Sequence, residues 1–192
     1  MARTPDVGDL APHFALPGWH DGVEKVFALS AGLGHPVVLA FYPGDDTPTC
    51  TRQLCSYSDN LSMLSDLGAE VWGISAQDIA SHAKFAAKRH LKLPLLADTE
   101  TEVATAYGVT GLLGVKRAVF VVDADGKIAW RHVAPVGLTY RSTEEIAAVI
   151  AALPPAVTPS TGKASTGKAT GGDTEVPPPA KSRSAKAHDS SL

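Results

Sequence analysis

A chain of 192 residues with 44% hydrophobic and 19% charged side chains suits one globular domain with a sizeable core. No run approaches the roughly 18 apolar residues of a membrane span. A net charge of −3 gives no reason to expect nucleic acid or an anionic membrane as partner.

The opening MARTPDVGDLAPHF lacks a basic stretch followed by an apolar run, so no secretory signal is expected. The expected location is cytoplasmic, where persistent disulfides are uncommon and a cysteine pair is more often catalytic or metal-binding. FAL (14–16) and KVFAL (25–29), separated by Gly18, Asp21 and Gly22, predict an N-terminal β-hairpin. VVLAFY (37–42) is a continuous apolar run, the pattern of a strand covered on both faces. From Cys50 onward, Leu54, Tyr57, Leu61 and Leu64 recur at helical spacing, with Cys50 on the same face and Gly68 as the stop. EVWGIS (70–75) is the next strand. Asp78 caps a helix running through His90, with Ile79, Phe85 and Ala86 turned inward. LPLLAD (93–98) reads as a short strand or extended connection, and a brief helix follows over 101–107. RAVFVV (117–122) and KIAWRHV (127–133) flank the turn Asp123-Ala124-Asp125-Gly126. Ser142 and Glu145 make a capping box for a last helix ending near Leu153.

Strands alternating with helices, closed by an antiparallel hairpin, predict an α/β fold with a central mixed sheet and helices on both faces. Residues 1–153 form that domain. Beyond Pro154 the chain turns to PSTGKASTGKATGG and PPPAKSRSAK, with almost no large apolar side chains and a short STGKAS/STGKAT repeat. Such a segment cannot bury enough surface to offset its ordering entropy, so 154–192 is expected to be a disordered, weakly basic tail.

The chemistry is sought at the two cysteines, Cys50 and Cys55, in FYPGDDTPTCTRQLC. Pro43, Thr47 and Cys50 form a P-x3-T-x2-C pattern where a helix begins. A thiol there faces unpaired backbone N–H groups and the positive end of the helix dipole, both of which favour the nucleophilic thiolate. Four readings compete: two buried thiols acting as small hydrophobes, a metal site, a disulfide oxidoreductase, and peroxide chemistry. Metal binding lacks ligand spacing, since His13, His20, His35, His82, His90, His132 and His188 are scattered. A disulfide oxidoreductase would show C-x2-C rather than C-x4-C. No metal or cofactor is expected.

These surroundings resemble the peroxiredoxins, specifically the bacterioferritin comigratory protein, or Q-type, branch. The resemblance covers residues 6–153 and rests on VGDLAPHFALPG, FYPGDDTPTCTRQLC, SHAKFAAKRHLKLPLLAD followed by AYGV, and the arginine opening RAVFVVDADGKI. It implies a thioredoxin-like fold and reduction of hydrogen peroxide and organic hydroperoxides. It implies Cys50 as the peroxidatic cysteine, Pro43 and Thr47 as the rest of its loop motif, Arg117 as the active-site arginine and Cys55 as the resolving cysteine. Cys50 and Cys55 would then form a redox disulfide, with thioredoxin or a similar dithiol as reductant. The assembly would be a monomer or weak homodimer. Two positions depart from the family pattern: Thr49 stands where Gly is usual, and Gln53 where Glu is usual. Losing that Glu removes a carboxylate that orients the arginine, although Gln53 can still accept a hydrogen bond.

Two other readings stay open. Cys55 could be incidental, with an external thiol resolving the oxidised Cys50, or the chain could be a binding module or redox sensor on the same fold. Geometry adds a condition to internal resolution. In an intact helix, residues i and i+5 are turned by ~140° and their Cα atoms lie ~8.7 Å apart. A disulfide rarely tolerates more than ~7 Å. The first turns of the helix must therefore open before the bond can close.

Overall fold

The computed structural model describes residues 3–32, 34–134 and 139–154; residues 155–192, nearly all of the expected tail, lie outside the described residues. The N-terminal hairpin is present as β1 (Ala15–His20) and β2 (Val23–Ala28) in antiparallel register. Its turn is Asp21-Gly22, with φ of 51° and 80°, the two-residue geometry whose twist matches paired strands. A 3-10 turn (Leu29–Gly32) leads to β3 (Val37–Phe41).

After β3 come helices α1 (Pro48–Asp59) and α2 (Leu61–Ser65), then β4 (Glu70–Ser75), α3 (Ile79–Arg89) and β5 (Leu95–Ala97). Helix α4 (Glu102–Ala106) precedes a two-stranded ribbon, β6 (Thr110–Gly111) with β7 (Gly114–Val115). The chain closes with β8 (Ala118–Val122), β9 (Ile128–Val133) and α5 (Thr143–Ala151). Asp78 caps α3 by accepting from the Ser81 N–H, and Ser142 and Glu145 form the expected reciprocal capping box.

Seven strands form one mixed sheet in the order β2-β1-β5-β4-β3-β8-β9. The β3/β4 and β4/β5 pairs are parallel, and antiparallel pairs extend the sheet to both edges. β3 shows why its sequence is uninterrupted: every residue is buried. Val37, Leu39 and Phe41 enter one core cluster, whereas Val38, Ala40 and the following Tyr42 enter the other. Each fully buried Val, Leu or Phe stabilises the fold by ~1.5–3 kcal/mol, so a doubly covered strand anchors both cores. Helices α1, α2, α3 and α5 supply the cluster containing Cys50. α4 covers the opposite face with Val103 and Ala104. Among the described residues, no helix is long and apolar enough to cross a membrane.

Two elements differ from expectation. The apolar stripe from Leu54 to Leu64 is not one helix but two, broken at Asn60, whose backbone (φ −104°, ψ 19°) leaves the helical region. Its side-chain amide donates to the Ser56 carbonyl at 2.9 Å, the local competition that makes Asn a poor interior helix residue. Gly68 does end this region, at φ 74°. The ribbon of β6 and β7 was not anticipated, because strands this short carry no period to read.

Candidate active site

β3 delivers the site. Its carboxyl end runs into Tyr42–Thr47, and α1 starts at Pro48, a first-turn position where proline's fixed φ and missing N–H cost nothing. Thr47 is the N-cap residue by backbone (φ −78°, ψ 148°), but its side chain makes no capping bond. Its hydroxyl instead donates to the Gly44 carbonyl at 3.4 Å, tightening the turn. Cys50 follows in the first turn of α1, 1% exposed and facing the core with Leu54 and Tyr57.

Arg117 comes from the other side of the same strand. β8 pairs antiparallel with β3 so that Ala118 faces Phe41, which sets Arg117 at the level where the loop begins. Arg117 is 2% exposed. One Nη donates to the Cys50 sulfur at 3.1 Å and the other to the Gln53 side-chain oxygen. A buried cation thus donates to a fixed sulfur acceptor and to a neutral anchor, the planar fork geometry that lysine lacks. Gln53 is itself fully buried and donates to the Tyr57 hydroxyl at 3.4 Å, which in turn donates to the Arg141 carbonyl at 2.8 Å. Glutamine here holds the arginine through a hydrogen bond alone. Burial, with smaller charge effects around it, pushes the Tyr57 phenol up to about 12, so it remains a donor.

Of the residues singled out from sequence, Cys50 and Arg117 are in direct contact. Pro43 and Thr47 lie on the exposed side of the loop between β3 and α1, and no hydrogen bond joins Thr47 to Cys50 among the described residues. Cys55 is half-buried on a different side of the same uninterrupted helix, and both thiols are free. Burial first, then Asp59, pushes the Cys55 thiol above its ordinary range, with Arg89 opposing. No cluster of three or more His, Cys, Asp or Glu among the described residues could hold a metal ion.

A second polar group, marked by no sequence motif, lies beside the loop. Asp45 accepts hydrogen bonds from the Tyr42 hydroxyl (2.7 Å), the Ser81 hydroxyl (2.7 Å) and His82 Nδ1 (2.9 Å). The signal was available in part: His82 stands three residues before Phe85, on the inward face of α3, where an apolar side chain is the rule. Nothing in the local sequence says that Asp45 is its partner.

Residues 7–131 match the model of the AhpC/TSA family, and the chain belongs to that family. It is 34% identical over 140 residues to peroxiredoxin Bcp of Bacillus subtilis, covering 68% of this chain and 87% of that one. It is 41% identical over 126 residues to a chloroplastic peroxiredoxin Q of Triticum aestivum, covering 64% of this chain. That match takes in only 57% of the wheat protein's length. The solved structure of peroxidoxin BcpB from Mycobacterium tuberculosis superposes with a TM-score of 0.67 at 34% identity, covering 78% of this chain and 99% of that one. AhpC of Enterococcus faecalis, at 24% identity and a TM-score of 0.72 over 77% of this chain and 92% of its own, shares the fold. The mixed sheet with helices on both faces is thus the thioredoxin-like fold.

Proposed function

We propose that the chain is a thiol-dependent peroxidase for hydrogen peroxide and organic hydroperoxides, with Cys50 as the nucleophile. The observation that carries this reading is the Arg117 guanidinium 3.1 Å from a buried sulfur at the first turn of a helix. A fixed cation and the helix N-terminus together complement a thiolate and the negative charge that develops on the leaving oxygen. The backbone N–H groups of Thr49 and Cys50 supply further donors, and the Thr47 hydroxyl joins them by turning from the Gly44 carbonyl to the peroxide. Pro43, lacking an N–H, shields the sulfur from water.

The Cys50 thiolate attacks one peroxide oxygen; the S–O bond forms, the O–O bond breaks, and the departing oxygen takes a proton to leave as water or an alcohol. The resulting sulfenic acid condenses with the Cys55 thiol, releasing water and forming the Cys50–Cys55 disulfide. A dithiol reductant of the thioredoxin type returns two electrons and two protons, restoring both thiols. The cytoplasm is the compartment this reading favours, in keeping with two cysteines in 192 residues.

Turnover of hydrogen peroxide and an alkyl hydroperoxide by wild type, Cys50→Ser and Cys55→Ser tests the assignment. Cys50→Ser is expected to be inert, and Cys55→Ser inert with thioredoxin but active when small thiols are supplied. A fully active Cys55→Ser protein with thioredoxin would move resolution to an external thiol.

A further inference from the structure

We propose that the buried Asp45–His82 pair is a positioning device for the loop over Cys50, governing how fast peroxide reacts there without touching it. The proposal rests on the peroxidase reading above and adds residues to it. Asp45 lies midway along Tyr42–Thr47, between the strand that delivers the loop and the helix that carries the nucleophile. Its side chain is 5% exposed and that of His82 is 0% exposed. The carboxylate accepts three side-chain hydrogen bonds, one from Tyr42 where the loop leaves β3 and two from Ser81 and His82 on α3. Its own backbone N–H donates to the Gln77 side-chain oxygen at 3.2 Å, which also accepts from the Ser75 hydroxyl at 2.8 Å. The next residue, Asp46, is held in the left-handed region at φ 56° and forms ion pairs with Lys88 and Arg89 on the surface of α3. Two successive loop residues are thus fastened to α3, one inside and one outside.

Stability alone does not call for this arrangement. Replacing a buried ion pair by apolar residues of similar volume is often neutral or stabilising. This one carries an open liability: His82 Nε2 is buried without a hydrogen-bond partner among the described residues. An ionised carboxylate can only accept, so Nδ1 carries a proton and donates it to Asp45, while Nε2 on the far side of the ring is left without a partner. What the pair secures is the direction of the turn. Tyr42 shares the buried cluster of Cys50, and Thr47 and Pro43 flank Asp45 on the same short loop. Release of the carboxylate removes the inner of the loop's two ties to α3, and displacement of the order of 1 Å at reacting groups costs up to ~100-fold in rate.

The test compares wild type, His82→Ala, His82→Asn and Ser81→Ala in single-turnover oxidation by hydrogen peroxide, with alkylation of Cys50 by iodoacetamide alongside. His82→Ala is expected to lower the second-order rate with peroxide by roughly tenfold or more, while alkylation changes less than about twofold. His82→Asn keeps an N–H near the place of Nδ1 and is expected to recover most of the loss. Ser81→Ala, which removes one bond at the solvent side, gives a smaller loss of the same sign and serves should His82→Ala fail to fold. Wild-type oxidation in His82→Ala, equal losses in the Ala and Asn variants, alkylation falling in step with oxidation, or no loss in Ser81→Ala would each overturn the proposal. If Cys50→Ser still consumes peroxide, the peroxidase reading falls and this role with it. If Cys50→Ser is inert while His82→Ala matches wild type, only the positioning role falls.

Discussion

Arg117 divides its two Nη groups between the Cys50 sulfur and the Gln53 oxygen, a fixed planar fork that an ammonium does not reproduce. Arg117→Lys therefore keeps the charge but loses its aim, and the second-order rate with peroxide is expected to fall by on the order of 100-fold. Gln53→Glu, which returns a charged anchor to the same site, is expected to hold that rate at or above wild type. The two substitutions separate charge from direction, and stopped-flow oxidation reads both. Cys55 makes a second prediction at this scale. Burial and Asp59 push its thiol up, so in Cys50→Ser protein its alkylation should rise with pH and reach half-maximum above 9.0. Removing the neighbouring negative charge favours the thiolate, so Asp59→Asn shifts that midpoint to lower pH. An unchanged midpoint would mean that Asp59 does not face the sulfur.

Helix α1 has to be stable enough to present Cys50 and loose enough to let Cys55 reach it. Its entry has a pre-organised proline but no side-chain cap, which leaves the first turn weakly tied. Its grip on the core comes from Leu54 and Tyr57, both 0% exposed. Leu54→Ala should lower global stability by about 2–5 kcal/mol in denaturant unfolding. It should also speed closure of the disulfide after oxidation, since opening α1 then costs less. Hydrogen exchange over 48–58 offers the direct view: protected in reduced protein, exchanging rapidly in oxidised protein. The strands were the legible elements: β3 and β8 are unbroken apolar runs, and with β4 they match their expected limits closely. The break at Asn60 was not legible. Leu61 and Leu64 continue the helical spacing across it, and the period carries no sign of a backbone change.

At the scale of the molecule, the sheet register is what assembles the site. The pairing of β3 with β8 sets an arginine beside a cysteine 67 positions earlier in the chain. Motif residues could be named from the sequence, since Cys50 and its loop are contiguous and Arg117 opens a clear strand. The Asp45–His82 contact could not, because 37 positions and a parallel crossover separate the partners. That contact also ties the loop to acid stability. Burial raises the Asp45 carboxyl, but the bonds from His82, Ser81 and Tyr42 outweigh it, and the group sits below its ordinary 3.8. A carboxyl depressed in the folded state contributes stability above its unfolded value and loses it as pH falls through the folded one. Wild type is therefore expected to be more stable than Asp45→Asn above 3.8, with the gap in unfolding midpoint closing as the medium becomes more acid.

Intact mass of the reduced protein after one equivalent of hydrogen peroxide tests the central chemistry most directly. Loss of two hydrogens in wild type, gain of one oxygen in Cys55→Ser and no change in Cys50→Ser is the expected set. Oxygen uptake by Cys50→Ser, or a wild-type protein left unmodified, would contradict it.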